Sequence, residues 1–249
     1  MPGSSPTSPP LSDVQLMALL QLNDSAFPNG AYTQSFGVET LAQEGVLEDE
    51  EALYRFWRAY LVERLAALEL PVLCEVSRAV SLLEVEGGAG EAAVVRGILS
   101  LEERYHALQS SREGSEGSLK MGRQVLRLIE PMMPHPLLAG YRRESVASDD
   151  VGHYVVVYAL LHTLQGITGR PLIIAYAASS LLSQLNNLLR VTPLGQPAIQ
   201  SLYLRLIPTV EEAVTMGLSC PLQAWGGSAL RLEIAALRHE SLYSRLFMS

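Results

Sequence analysis

Five histidines, two cysteines and one lysine are the side chains of this 249-residue chain best suited to chemistry, and their spacing argues against most of it. His106, His135, His153, His162 and His239 include no i, i+4 pair, the separation that sets two imidazoles on one helical face around a metal, and no HxH or HExxH occurs. His153 and His162 would point about 180° apart on a helix. Lys120 is followed by Met121, so the lysine and hydroxyl of a phosphate-cradling P-loop are missing. Cys74 and Cys220 have no CxxC spacing and no histidine close by in sequence, and there is no GxSxG elbow. A serine, a histidine and an aspartate could meet only through folding, and a metal shared across a dimer interface could still use one histidine. The expectation is a chain that is not an enzyme, with no catalytic residue, no cofactor and no metal site of its own.

Composition narrows the alternatives. The net charge of −8 and pI near 5.2 oppose nucleic-acid binding, which needs a basic stripe to displace counterions. Charged residues make up only 18% against 48% apolar ones, a surplus that points to surfaces buried between chains, as in a homodimer. Unpaired cysteines fit a reducing, cytoplasmic setting. Residues 1–12, rich in Pro and Ser, lack the basic and apolar regions of a signal peptide and read as a disordered arm. Val151 to Gly169 and Pro171 to Leu189 are uncharged over a near-spanning length. Their His, Gln and Asn residues would be costly in hydrocarbon, so buried helices are expected rather than membrane spans.

The elements that must position any site are helical throughout. Apolar residues recur at three- and four-residue steps, and no convincing strand or internal repeat appears. Expected helices start near Leu16, from Ala31 to Glu44, behind the acidic run Glu48 to Glu51, and from Pro71 to Val85. Others are expected over Glu91 to Gln109, Leu119 to Glu130, from Val151 behind Asp149 or Asp150, from Pro171 to Val191, over Leu194 to Gly217 with a kink at Pro208, and around Leu230, Ile234 and Leu237. This is an all-α, single-domain bundle of about ten helices over 13–241, followed by a tail over 242–249.

Four segments carry more chemistry than a plain helical core requires. Leu19-Leu20-Gln21-Leu22-Asn23-Asp24-Ser25 leads through Pro28-Asn29-Gly30 to Gln34-Ser35-Phe36-Gly37-Val38-Glu39. Arg112-Glu113-Gly114 leads to Gly122-Arg123. His153-Tyr154-Val155-Val156-Val157 is followed by Arg190-Val191-Thr192-Pro193-Leu194-Gly195-Gln196. The chain closes on Arg238-His239-Glu240-Ser241-Leu242-Tyr243-Ser244-Arg245-Leu246-Phe247. Aromatic and arginine side chains near a terminus are interface anchors in composition, where chain ends are commonly polar and featureless.

Together these segments resemble the UreF family of urease accessory proteins, with LLQLxDSxxPxG and SxGxE near the start, HYxVV and PLGQ in the second half, and RHExLYSRLF at the end. The resemblance spans residues 16–249, and Gln34 departs mildly from the His or Tyr of many members. It implies an all-α homodimer that acts in nickel incorporation with UreD (also called UreH), the GTPase UreG and the urease apoprotein. On the composition of the tail, Arg238, His239, Glu240, Tyr243, Arg245, Leu246 and Phe247 are expected to bind a partner, with Gln34, Ser35, Glu39, Gly195 and Gln196 as second candidates for partner or dimer contacts. The tail from Arg238 to Phe247 is expected to be disordered or loosely docked alone and to fold onto UreD. Two alternatives are regulation of the UreG GTPase cycle, by an arginine such as Arg238 or Arg245, and direct nickel carriage.

Overall fold

The computed structural model describes residues 10–31, 35, 37–47, 49–83, 90–227, 229–243 and 245–247. Among these the chain is all-α with no strand. The helices are α1 (Asp13–Asn23), α2 (Val38–Gln43), α3 (Glu50–Ala59), α4 (Leu70–Ser81), α5 (Glu91–Ala107), α6 (Arg112–Ile129), α7 (Pro136–Ala147), α8 (Tyr154–Leu164), α9 (Gly169–Val191), α10 (Gln196–Ser219) and α11 (Leu230–His239). A π-helical segment, Tyr60–Glu69, joins α3 to α4 without a break, so these three form one rod.

Burial on every face makes α8 the centre of the bundle. Val155, Val156, Val157, Leu160 and Leu161 are all fully buried, each contributing about 1.5–3 kcal/mol by leaving water. The helix packs between α4 and α6. Gly122 allows α6 this close: a Cβ there would lie 2.1 Å from the Gly152 carbonyl oxygen. Helix α9 is long and apolar enough to cross a membrane, but half of its most apolar window is buried within the fold. It lies against α10, which also runs along the π segment.

Several boundaries differ from the sequence expectation for local reasons. The second helix begins at Val38 rather than Ala31, on Gly37 with φ +92°, and ends before Gly45 at φ +69°. Helix α6 starts at Arg112, because the Ser111 side chain accepts a hydrogen bond from the Gly114 N–H and caps it. Neither Asp149 nor Asp150 caps α8, which begins at Tyr154. Its free amides are met from other helices: Glu102 accepts from the N–H groups of Gly152 and His153, and Ser118 Oγ accepts from Tyr154 N–H. The glycine break at 87–89 and the arm over 1–9 lie outside the described residues.

Pro71 stands in the first turn of α4, as expected, but that helix continues directly from the π segment rather than after a break. In a continuous α-helix it would deprive the Ala67 carbonyl of its N–H partner and crowd it. The wider π winding accommodates the proline, Leu70 N–H bonds to Leu65 O five residues back, and Ala67 O accepts from Gly226 N–H at 3.3 Å.

Candidate functional site

Three of the four unusual segments converge on one histidine. His239, at the end of α11, is fully buried. Its Nε2 lies 3.0 Å from Glu39 Oε2 of α2, and its Nδ1 lies 2.7 Å from Glu113 Oε2 of α6. Each of the two ring nitrogens therefore faces a carboxylate oxygen. Arg245 donates to the other Glu113 oxygen at 2.8 Å. The N–H groups of Leu246 and Phe247 both donate to Glu39, at 2.7 and 3.1 Å. Phe247 is 4% exposed, with the Arg190 guanidinium stacked 4.3 Å from its ring centroid. Burial pushes the Glu39 carboxyl up, but the hydrogen bonds from His239 and the two tail amides hold it below the usual carboxylate range.

The packing explains the residue types around this clamp. Helices α2 and α11 meet at Gly37, where a Cβ would lie 2.7 Å from Ala236 N. Ser35 is buried beside it. Arg238 and Glu240 stay on the surface, paired with Glu44 and Arg112. Tyr243 is fully exposed and Leu246 half exposed. The described part of the tail is therefore docked on its own body. Gly195 and Gln196 lie on the exposed α9–α10 turn. Gln34 is outside the described residues.

Helix α11 presents its apolar stripe outward. Leu232, Ala235 and His239 are buried, while Leu230, Ile234 and Leu237 are exposed.

Beside α11 lies a cavity of about 550 Å³, whose wall includes Tyr60, Arg64 and Glu69 of the π segment, Tyr105, Tyr176 and Glu233. Arg64 is 9% exposed and donates to Gln109 at 2.8 Å, with Glu233 at 3.5 Å and Glu69 at 3.9 Å. Tyr176 O–H donates to Glu69. Sequence reasoning missed this group. Its one signal was Arg64 falling in phase with Tyr60, Leu61 and Leu68 on an otherwise apolar stripe.

A serine, a histidine and an aspartate do meet elsewhere, without the makings of a nucleophile. Ser115 Oγ and Asp150 Oδ1 each lie 3.4 Å from a nitrogen of His106. His153 Nε2 is closer, 3.0 Å from the same Nδ1 that Ser115 would need. Burial, with His106 and Arg123 nearby, pushes His153 down to about 3, so it is neutral and can donate there. Among the described residues no group of three His, Cys, Asp or Glu could hold a metal ion.

The fold and the clamp define a class: an all-helical protein whose ionisable side chains Glu39, Glu113 and His239 seat its own C-terminal arm. The family model described as UreF matches residues 47–207. The chain is 34% identical over 232 residues to a urease accessory protein UreF of Ectopseudomonas mendocina, covering 93% of this chain and 98% of the relative. Identity to the protein of that name from Lachnoclostridium phytofermentans is 30% over 237 residues, covering 95% and 100%. Identity to that from Bacillus sp. is 29% over 235 residues, covering 94% and 99%. The chain belongs to the UreF family of urease accessory proteins.

Proposed function

We propose that this chain is a non-catalytic, cytoplasmic scaffold for nickel incorporation into urease, acting as a homodimer with UreD/UreH, the GTPase UreG and the urease apoprotein. The observation that carries the reading is the clamped arm. Leu230, Ile234, Leu237, Tyr243 and Leu246 of this arm are exposed, and so in part are its Arg238 and Arg245. Exposed apolar side chains together with arginines have the composition of a protein interface. A surface fixed in advance also lowers the ordering cost of binding.

Urease expressed with this chain should carry more bound nickel, and be more active, than urease expressed without it. Equal nickel in both would overturn the role. Truncation before Glu240 should abolish co-purification of UreD while most helicity survives by circular dichroism; retained UreD would remove the arm from that interface. Regulation of UreG is the second reading, favoured by the exposed, tail-borne arginines. It requires that GTP turnover by UreG change when this chain is added.

A further inference from the structure

We propose that the cavity beside α11 binds a neutral small molecule of the amide class, whose carbonyl oxygen accepts from Arg64 Nη1 and whose N–H donates to Gln184 Oε1. The inference goes beyond the scaffold role and does not rest on it.

Two buried polar atoms of the residues lining this cavity lack a hydrogen bond among the described residues. Arg64 of the π segment is 9% exposed. Its Nη2 donates to Gln109, while its Nη1 lies 3.5 Å from the Glu233 carboxylate and makes no hydrogen bond. Gln184, on the uncharged stretch of α9, is 7% exposed, and its Oε1 has no hydrogen-bond partner. Both residues line the same space of about 550 Å³. A buried donor or acceptor left without a partner is costly, so a molecule that meets both gains what the empty fold forgoes.

These two atoms set the chemistry of the ligand. The guanidinium asks for an acceptor oxygen and the Gln184 oxygen asks for a donor, and an amide offers both in one planar group. The charges of the lining keep that ligand neutral. Arg64 stands with Glu69, Glu233 and Asp24, so an anion would meet three carboxylates for one cation. A cation would have to compete with Arg64 for Glu69 and Glu233. Burial opposes the charge on Arg64, and Glu69, Tyr105, Glu233 and Tyr60 more than offset it, so the guanidinium persists as a donor. Burial pushes the hydroxyls of Tyr60, Tyr105 and Tyr176 up, so they stay neutral. With Leu22 and Met121 their rings give the wall its apolar share. The volume falls in the range of about 300–1,000 Å³ usual for small-molecule sites.

Ligand-observed saturation-transfer NMR on the full chain tests the site, with N-acetylglycinamide as the probe. The probe should give a saturable signal, and N-acetylglycinate, its anionic counterpart of the same shape, should bind at least about tenfold more weakly. Gln184→Leu should weaken the probe by about tenfold. The same variant should melt at or above the wild-type temperature, because it removes a buried oxygen that has no partner in the empty chain. A structural role for Gln184 would lower the melting temperature instead, and that result would overturn the proposal. So would the absence of a saturable signal, which leaves water as the only occupant, or equal binding by wild type and Gln184→Leu. A signal from N-acetylglycinate as strong as that from the amide would overturn the assignment of a neutral ligand.

Discussion

His239 takes its place from two carboxylates, and each carboxylate depends on it in return. Replacing it with alanine would leave Glu39 and Glu113 facing one another across a buried gap, with Arg245 alone to compensate Glu113. Breaking a buried pair by removing one partner costs about 3–5 kcal/mol. His239→Ala should therefore lower stability by about that amount in urea unfolding, whereas Arg238→Ala, at an exposed pair, should cost below about 1 kcal/mol. Acid titration gives a further check. Glu39 has its folded pKa below the model-compound value of 4.5, so its stabilising share is present above 4.5 and is lost as pH falls through the folded value. Glu39→Gln should flatten the acid limb of a stability–pH curve measured below 4.5. Glu102 behaves in the opposite sense. Burial pushes it up to about 7, against hydrogen bonds from Tyr141, His153 and Gly152. Its contribution is complete below 4.5 and is lost as pH rises toward 7. Glu102→Gln should remove that decline, as followed by urea midpoints between pH 4.5 and 7.

Among the elements, close backbone approach decides more than side-chain volume. Helix α6 reaches the start of α8 because Gly122 has no side chain, and the three amides there are satisfied by Glu102 and Ser118. Gly122→Ala should destabilise the fold by about 1–3 kcal/mol, since the clash is with backbone and the two helices must separate. Gly97→Ala on exposed α5, where a Cβ meets nothing within 4 Å, should instead stabilise by up to about 1 kcal/mol. Thermal melts of the two variants should move in opposite directions. The rod containing the π segment follows the same logic: Pro71 was legible as a helix signal, but its effect on Ala67 O depends on Gly226, more than 150 residues away.

For the whole molecule, the periodicity of apolar residues was enough to specify an all-α bundle of about ten helices, because each amphipathic stretch must bury one face whatever its neighbours are. Motifs around Glu39, Glu113 and His239 were also visible as unusual, and carried the family resemblance. Their convergence was not visible. Two hundred residues separate Glu39 from His239, and no local rule of spacing relates side chains that meet only after α2, α6 and α11 have packed. The outward turn of Leu230, Ile234 and Leu237 was likewise undecidable from α11 alone. A helix with apolar residues on one side and Leu232, Ala235 and His239 on another has two candidate faces. The carboxylates waiting for His239 selected the less apolar one. The chain's own pattern thus determined which segments are helices and which are chemically unusual. Tertiary packing decided which charges are buried together, because compensating a buried charge requires partners that only the complete fold brings within hydrogen-bond distance.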